Sequence, residues 1–303
     1  MRNSVIRFLK GFFIGASMLI PGVSGGTMAI LMNIYDELIV AVSRFRANAK
    51  KSALVLLTAG GGGFLGILTL STPMSWLYEK WEIQVLSFVF GAVLAGTIPL
   101  FRLCLYSDQR SPGEFLMDGM PIEGLVPQRG RAHMKPFSVL CCLFGVGIGV
   151  GFEFIPAGLI PGPDRAGVVA TVVLFVVGLF FSIPLVLPGI SASYVLVIFG
   201  IYQTILSAIS DVNIPYLAPF AAGTLIGVVM TAKIMDRLMS MHPQSTYMMI
   251  IGFMLGSLLV VVKEILDAYS GHGGTLVIVS AIITGILGFV ALMSMSLFGG
   301  KEK

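Results

Sequence analysis

The chain has 303 residues, of which 56% are hydrophobic and only 11% charged, with a net charge of +4 and a mean hydropathy of +0.95. A soluble domain carries about 25% charged residues, so this chain has too little charge to clothe a soluble surface of its size. That excludes an ordinary cytosolic enzyme, a nucleic-acid binder and a disordered protein, and it points to an all-α polytopic membrane protein.

In chain order, the first apolar segment is 11–43. It runs from Phe12 to Ile20, breaks at Pro21-Gly22-Val23-Ser24-Gly25-Gly26, resumes from Thr27 to Tyr35 and meets Asp36-Glu37. Arms of about ten residues make about 15 Å of helix, half a bilayer, so a broken or re-entrant hairpin is expected here. Arg2, Arg7 and Lys10 ahead of the apolar run fit a signal peptide. The same break recurs at Pro188, far from any terminus, so the segment is read as structure. Full spans are predicted over 53–70 and 84–101, closing a first repeat of 11–101. A cytoplasmic loop of 102–136 follows, then a connecting helix over 137–155. Residues 167–210 are broken at Pro188-Gly189-Ile190-Ser191, with longer arms that fit either a deep hairpin or two spans. Spans over 216–232 and 245–262 close a second repeat of 167–262, and a final helix covers 275–298. Cys104, Cys141 and Cys142 have neither disulfide-framework nor zinc spacing and are read as apolar fillers. No metal site and no cofactor are expected.

The two broken segments are related. PGVSGGTMAILMNIY at 21–35 and PGISASYVLVIFGIY at 188–202 share Pro, Gly, Ser, Ile and Tyr at a constant offset of 167. Downstream, Gly62/Gly223, Gly66/Gly227 and Gly91/Gly252 align at an offset of 161. Each repeat is therefore a broken segment followed by two spans, and the Gly pairs at 62/66 and 223/227 suit close helix packing.

Positive charge marks the cytoplasmic side of a membrane protein. If each broken segment returns to its starting side, 16 of the 19 basic residues fall on one side and only Lys80, Arg165 and Lys263 on the other. If each crosses once, the split is nearly even. The first arrangement is the expected one. It places both termini in the cytoplasm and inverts the two repeats, the first break entering from the cytoplasm and the second from outside.

Inverted repeats with broken helices hold substrate near the midplane at the repeat interface. Proline ends a helix and glycine permits a sharp turn. The first amides of the next helix are uncovered and favour an anion. Pro21, Gly22, Ser24, Gly25, Gly26 and Thr27 at one break, with Pro188, Gly189, Ser191 and Ser193 at the other, form the candidate binding set. The bland alternative is a pair of kinks that cap their own backbone. Tyr35 and Tyr202 read as membrane-interface aromatics sooner than as ligand contacts. Glu153, near the outer end of 137–155, is a candidate proton-linked carboxylate or an interfacial residue. The basic residues around 44–51, or Arg102, face lipid headgroups or a phosphate at the cytoplasmic mouth.

At PGVSGGTMAILMNIYDELI and LPGISASYVLVIFGIY the chain resembles the bacterial polyprenyl-phosphate transporter family of the PopT type, formerly a domain of unknown function. The likeness covers essentially the whole chain. It implies a polyprenyl-phosphate lipid, undecaprenyl phosphate, as the partner, returned from the outer to the cytoplasmic leaflet of the bacterial plasma membrane for reuse in cell-wall synthesis. The family motif falls on the ten candidate residues named above. This chain departs from it at Ala192 and Asn33, where glycine is usual. Besides membrane lipid, a homo-oligomeric partner stays open.

Two rival classes remain. A transporter or channel for a small soluble anion would need a water-lined route and no lateral gap. An intramembrane enzyme is disfavoured: His133, His242 and His272 fall in loops, no nucleophile–base pair is visible in the spans, and no HExxH spacing occurs.

Overall fold

The structure is a computed structural model that describes residues 2–18, 24–107, 134–151, 154–156, 167–190, 192–211, 213–270 and 274–299. Among these residues every regular element is helical. In order they are α1 (Arg2–Ser17), α2 (Gly25–Leu31), α3 (Tyr35–Ser43), α4 (Ala49–Ser107), α5 (Pro136–Gly151), α6 (Val168–Val186), α7 (Ala192–Ile198), α8 (Tyr202–Ser210), α9 (Ile214–Met241), α10 (Pro243–Ser270) and α11 (Thr275–Gly299).

Six segments are long and apolar enough to cross a bilayer: Ala49–Met74, Trp76–Arg102, Val169–Val186, Ile214–Met241, Pro243–Tyr269 and Thr275–Ser294. The first two are the arms of α4, which bends at Trp81 (φ −139°, ψ 45°). Their outward residues are apolar and bare, with Leu57 74% and Leu276 85% exposed. Such a surface is stable only in lipid, so the chain is a polytopic membrane protein.

Three elements differ from the expectation drawn from hydropathy. The first arm is α1, which starts at Arg2 and takes in Arg7 and Lys10, so it spans about 24 Å. Arg7 is accommodated because its guanidinium pairs with Glu37. The second arm is two helices, not one: α2 and α3 meet at a bend of 119°. Asn33 makes that bend, with φ +53°. The connecting helix expected over 137–155 ends at Gly151 and has 16 residues, short of a full span.

Close helix contacts recur at the same offsets as the motifs. The boundaries of α2 and α3, moved by 167, are those of α7 and α8. Asn33 N–H bonds to Ile30 O and Ile34 N–H to Ala29 O, while Gly200 N–H bonds to Val197 O and Ile201 N–H to Leu196 O. Gly200 also has positive φ, +64°. A Cβ on Gly11 would lie 2.0 Å from Ala59 O, and one on Gly178 2.3 Å from Phe220 O. Gly62 meets Phe8 O as Gly223 meets Phe175 O. The pattern extends to α5 and α11: Gly145 meets Met249 O, and Gly288 meets Phe88 O.

The helices pair as α1 with the first arm of α4, α6 with α9, α11 with the second arm of α4, and α5 with α10, while α4 also packs on α10. The larger core cluster joins α2, α3, α4, α9 and α10 through Tyr35, Ile39, Val93, Met235, Tyr247 and Met254. A smaller one lies between α6, α7 and α8 at Leu174, Val177, Leu196, Ile201 and Ile205.

Gly11→Ala and Gly178→Ala place a methyl group against backbone that cannot yield. Each is expected to cost about 2 kcal/mol of stability, read as a lowered Tm in detergent. Gly147→Ala, where a Cβ would meet nothing within 4 Å, leaves Tm at or above the parent value.

Candidate functional site

The two breaks meet. α6 stops at Val186 because Pro188 has no N–H to continue it, and Leu187, preceding proline, turns extended (φ −79°, ψ 128°). Gly189 then takes φ +82°, a conformation that glycine adopts without strain. A side chain is excluded there as well, since a Cβ would lie 2.5 Å from the Phe253 carbonyl of α10.

The other break arrives on the opposite side of this turn. Ser24 is the N-cap of α2, extended at φ −92° and ψ 144°. Its Oγ accepts the Thr27 N–H at 3.1 Å and lies 2.9 Å from Thr27 Oγ1. Both hydroxyl oxygens accept from one amide of the other unit: Gly189 N–H donates to Ser24 Oγ at 3.0 Å and to Thr27 Oγ1 at 2.9 Å. A Cβ on Gly26 would be 3.0 Å from Pro188 N, so that glycine sets the approach. Ser24 and Thr27 are buried. The cluster holds two hydroxyl protons, and the Ser24–Thr27 bond uses one. The other remains to donate to a further acceptor.

Tyr35 completes the junction. Its hydroxyl donates to Val186 O at 3.0 Å, a carbonyl left over where α6 ends. The side chain is buried inside the protein and so does not face lipid. The bend at Asn33 turns α3 inward and carries Tyr35 from the expected rim to the core. Phe253 and Met254 of α10 back the second break through their main chain. The roles of Phe253 and Met254 had no local sequence signal, and that of Tyr35 had only its match with Tyr202 in the paired motif.

The surroundings carry little charge. Among the described residues the buried polar side chains are serines, threonines, Gln244, Tyr35, Tyr247 and Cys104, and no Asp, Glu, Lys, Arg or His is among them. Ion pairs lie at the rim: Arg7 with Glu37 at 2.6 Å, and Arg44 with Asp236 at 2.8 Å. Ser43 Oγ also donates to Asp236 at 2.9 Å. Arg102 is exposed. No group of residues among those described could hold a metal ion. Cys104 is buried and its thiol faces Gln244 O, while Cys141 and Cys142 are half-buried free thiols. Of the candidate residues, Ser24, Gly25, Gly26, Thr27, Pro188 and Gly189 stand at the junction. Pro21, Gly22, Ser191 and Glu153 lie outside the described residues, and so does the side chain of Ser193.

Removing both acceptors strands the Gly189 amide. Ser24→Ala with Thr27→Val is expected to cost about 1–3 kcal/mol, the penalty of an unsatisfied buried donor. Either single variant costs less, because one hydroxyl still accepts. Thermal unfolding in detergent compares the three.

The family model described as VCA0040-like, undecaprenyl phosphate translocase-like, matches residues 14–275. A protein of Vibrio cholerae serotype O1 (strain ATCC 39315 / El Tor Inaba N16961), named polyprenyl-phosphate transporter, is 27% identical over 270 residues, 84% of this chain and 77% of that protein. One of Staphylococcus aureus (strain NCTC 8325 / PS 47) with the same name is 28% identical over 270 residues, 84% of this chain and 85% of its own. No solved structure matches.

Proposed function

The chain belongs to the VCA0040-like, undecaprenyl phosphate translocase-like family, and from that premise we propose that it carries a polyprenyl phosphate across the bacterial plasma membrane. The lipid is undecaprenyl phosphate, moved from the outer to the cytoplasmic leaflet for reuse in cell-wall synthesis. The head is taken at the junction of the two breaks while the tail stays in lipid. The observation that carries this reading is the Ser24–Thr27–Gly189 cluster. It gathers hydroxyls and main-chain amides in a buried place where the described residues offer no buried cation. A phosphate oxygen accepts from hydroxyl and amide groups, and in low dielectric such bonds to a charged acceptor are strong. To reach them the head displaces the contact between the two breaks. Substrate binding and the joining of the two units therefore compete for the same atoms, which is what alternating access requires. Ser191 and Ser193 are assigned to the second face of the same site.

Re-entrance of the two breaks and inversion of the two units belong to this proposal. The first is supported by the short, bent pair α2 and α3. The second is supported by the matched contacts and by the basic residues gathered on one side. Arg44 pairs with Asp236 near the end of α9, and Asp211 precedes its start. Those positions are about 35–40 Å apart along a helix of 28 residues. Cysteines at Ala47 and Asp211 should therefore label with an impermeant maleimide from opposite faces of sealed vesicles, and same-face labelling would end the inverted arrangement.

An apolar groove favours a lipid over a small soluble anion. It has a volume of about 600 Å³ and lies between the second arm of α4, α10 and α11. Liposomes containing the purified protein should exchange polyprenyl phosphate between leaflets and fail to move inorganic phosphate. The Ser24→Ala/Thr27→Val variant should lower the exchange rate at least tenfold, about 1.4 kcal/mol of lost interaction. Exchange of inorganic phosphate with no movement of the lipid would refute the proposal.

A further inference from the structure

The two ends of the helix bundle are not equivalent. One end holds the C-terminal end of α3, the end of α9, the start of α10, the start of α5 and the last turns of α4. Among the described residues it also carries Arg44, Arg46, Arg102, Lys135, Lys233 and Arg237. There the Gln244 side-chain oxygen accepts from the Lys135 amide at 3.3 Å and from Ser138 Oγ at 3.1 Å, and the Cys104 thiol donates to Gln244 O at 3.6 Å. These bonds tie α4, α5 and α10 together. Arg44 Nε and Ser43 Oγ meet Asp236 beside them, fastening α3 to α9.

The opposite end carries different residues at the same positions. The contact of Gly145 with Met249 O matches that of Gly288 with Phe88 O, so α5 corresponds to α11 at an offset of 143 and the second arm of α4 to α10 at 161. By these offsets Gln244, Cys104 and Ser138 correspond to Ile83, Ile265 and Ala281. All three of those residues line the open apolar groove. Arg44 and Asp236 correspond to Asp211 and Ser75, which cannot form an ion pair. At the basic end α3 packs on α9 as well as on α4, and the larger core cluster gathers around it.

We infer that the polar contacts at the basic end are a gate. Gln244 with Ser138 and Cys104, and Arg44 with Ser43 and Asp236, hold the molecule closed at that end, and their release opens the junction of the breaks to the basic side. At the other end Gln84 Nε2 donates to Ser280 Oγ at 2.9 Å between the second arm of α4 and α11, but the positions matched to Arg44 and Asp236 hold Asp211 and Ser75, so the ion pair that fastens α3 to α9 has no counterpart there. The empty protein therefore rests closed at the basic end. Arg44 and Asp236 are positioning residues: they set which side the junction faces and do not touch the phosphate. This rests on the transport reading only for its purpose, because the gate itself can be observed without any lipid substrate.

The test uses the full-length protein in sealed right-side-out and inside-out vesicles, with Cys141 and Cys142 replaced by alanine and the fully buried Cys104 kept, since its thiol belongs to the gate. The reporter is Met239→Cys, buried in α9 one turn beyond Asp236. An impermeant maleimide should label it slowly from either face. Asp236→Asn should speed labelling about fivefold from the basic face alone, the shift expected for loss of one half-buried ion pair with its hydrogen bond. The charge-swapped pair Arg44→Asp/Asp236→Arg should restore protection, which a merely misfolded protein would not. Gln244→Met should act in the same direction as Asp236→Asn. Unchanged labelling in both neutral variants, or equal acceleration from both faces, overturns the gate. Leaflet exchange of polyprenyl phosphate is measured in parallel on the same variants. Altered labelling with no lipid exchange in the parent leaves the gate standing and removes the substrate assignment.

Discussion

The rest of the structure depends on one amide. Gly189 N–H would be an orphan, because α6 ends just ahead of it and Pro188 breaks the chain's own ladder. An unsatisfied donor buried away from water costs about 1–3 kcal/mol. The partner comes from 162–165 residues earlier in the chain, where Ser24 and Thr27 both accept from it. That bond needs Gly26 without a side chain, Gly189 in positive φ, and α3 turned back at Asn33 so that Tyr35 can reach Val186 O. Each of these features is awkward for a helix in isolation. Together they join two interrupted helices where a continuous one would have been easier to build.

Why such a joint is useful follows from the scarcity of charge. A buried lysine or arginine would bind phosphate tightly, but it would carry a large desolvation cost whenever the site stood empty. Hydroxyls and amides avoid that cost by bonding to one another. Under the transport proposal they exchange this mutual contact for a phosphate and regain it on release. The ion pairs of the molecule are placed instead at its rim, where water and headgroups can solvate them. There they are available to decide which end is shut.

Much of the fold was legible because lipid imposes simple rules. Runs such as 53–70, 216–232 and 245–262 had to be helices, and they are, within the longer spans Ala49–Met74, Ile214–Met241 and Pro243–Tyr269. The paired Pro-Gly motifs marked both breaks, and Ser24, Gly26, Thr27, Pro188 and Gly189 stand at their junction. What escaped sequence reading depended on tertiary approach. Thr27 to Tyr35 reads as one apolar arm, yet Asn33 divides it, and the resulting 119° bend moves Tyr35 from a surface role to a buried one. Asn33 stands where the resemblance leads one to expect glycine. Asparagine is among the few other residues that tolerate that backbone, so the departure preserves the turn. The Gln244 hub had no motif at all, since its partners come from distant stretches of chain at the end of α4 and the start of α5.

The central claim is that the phosphate of a lipid is met at the junction of the two breaks. A polyprenyl phosphate analogue with a photoreactive group at the phosphate, cross-linked in liposomes and mapped by peptide mass spectrometry, tests it most directly. The account predicts adducts within 24–27 and 187–190, competed by unlabelled polyprenyl phosphate and reduced in Ser24→Ala/Thr27→Val. Adducts confined to the rim around Arg44–Lys51 or to α11, with none at the junction, would contradict it.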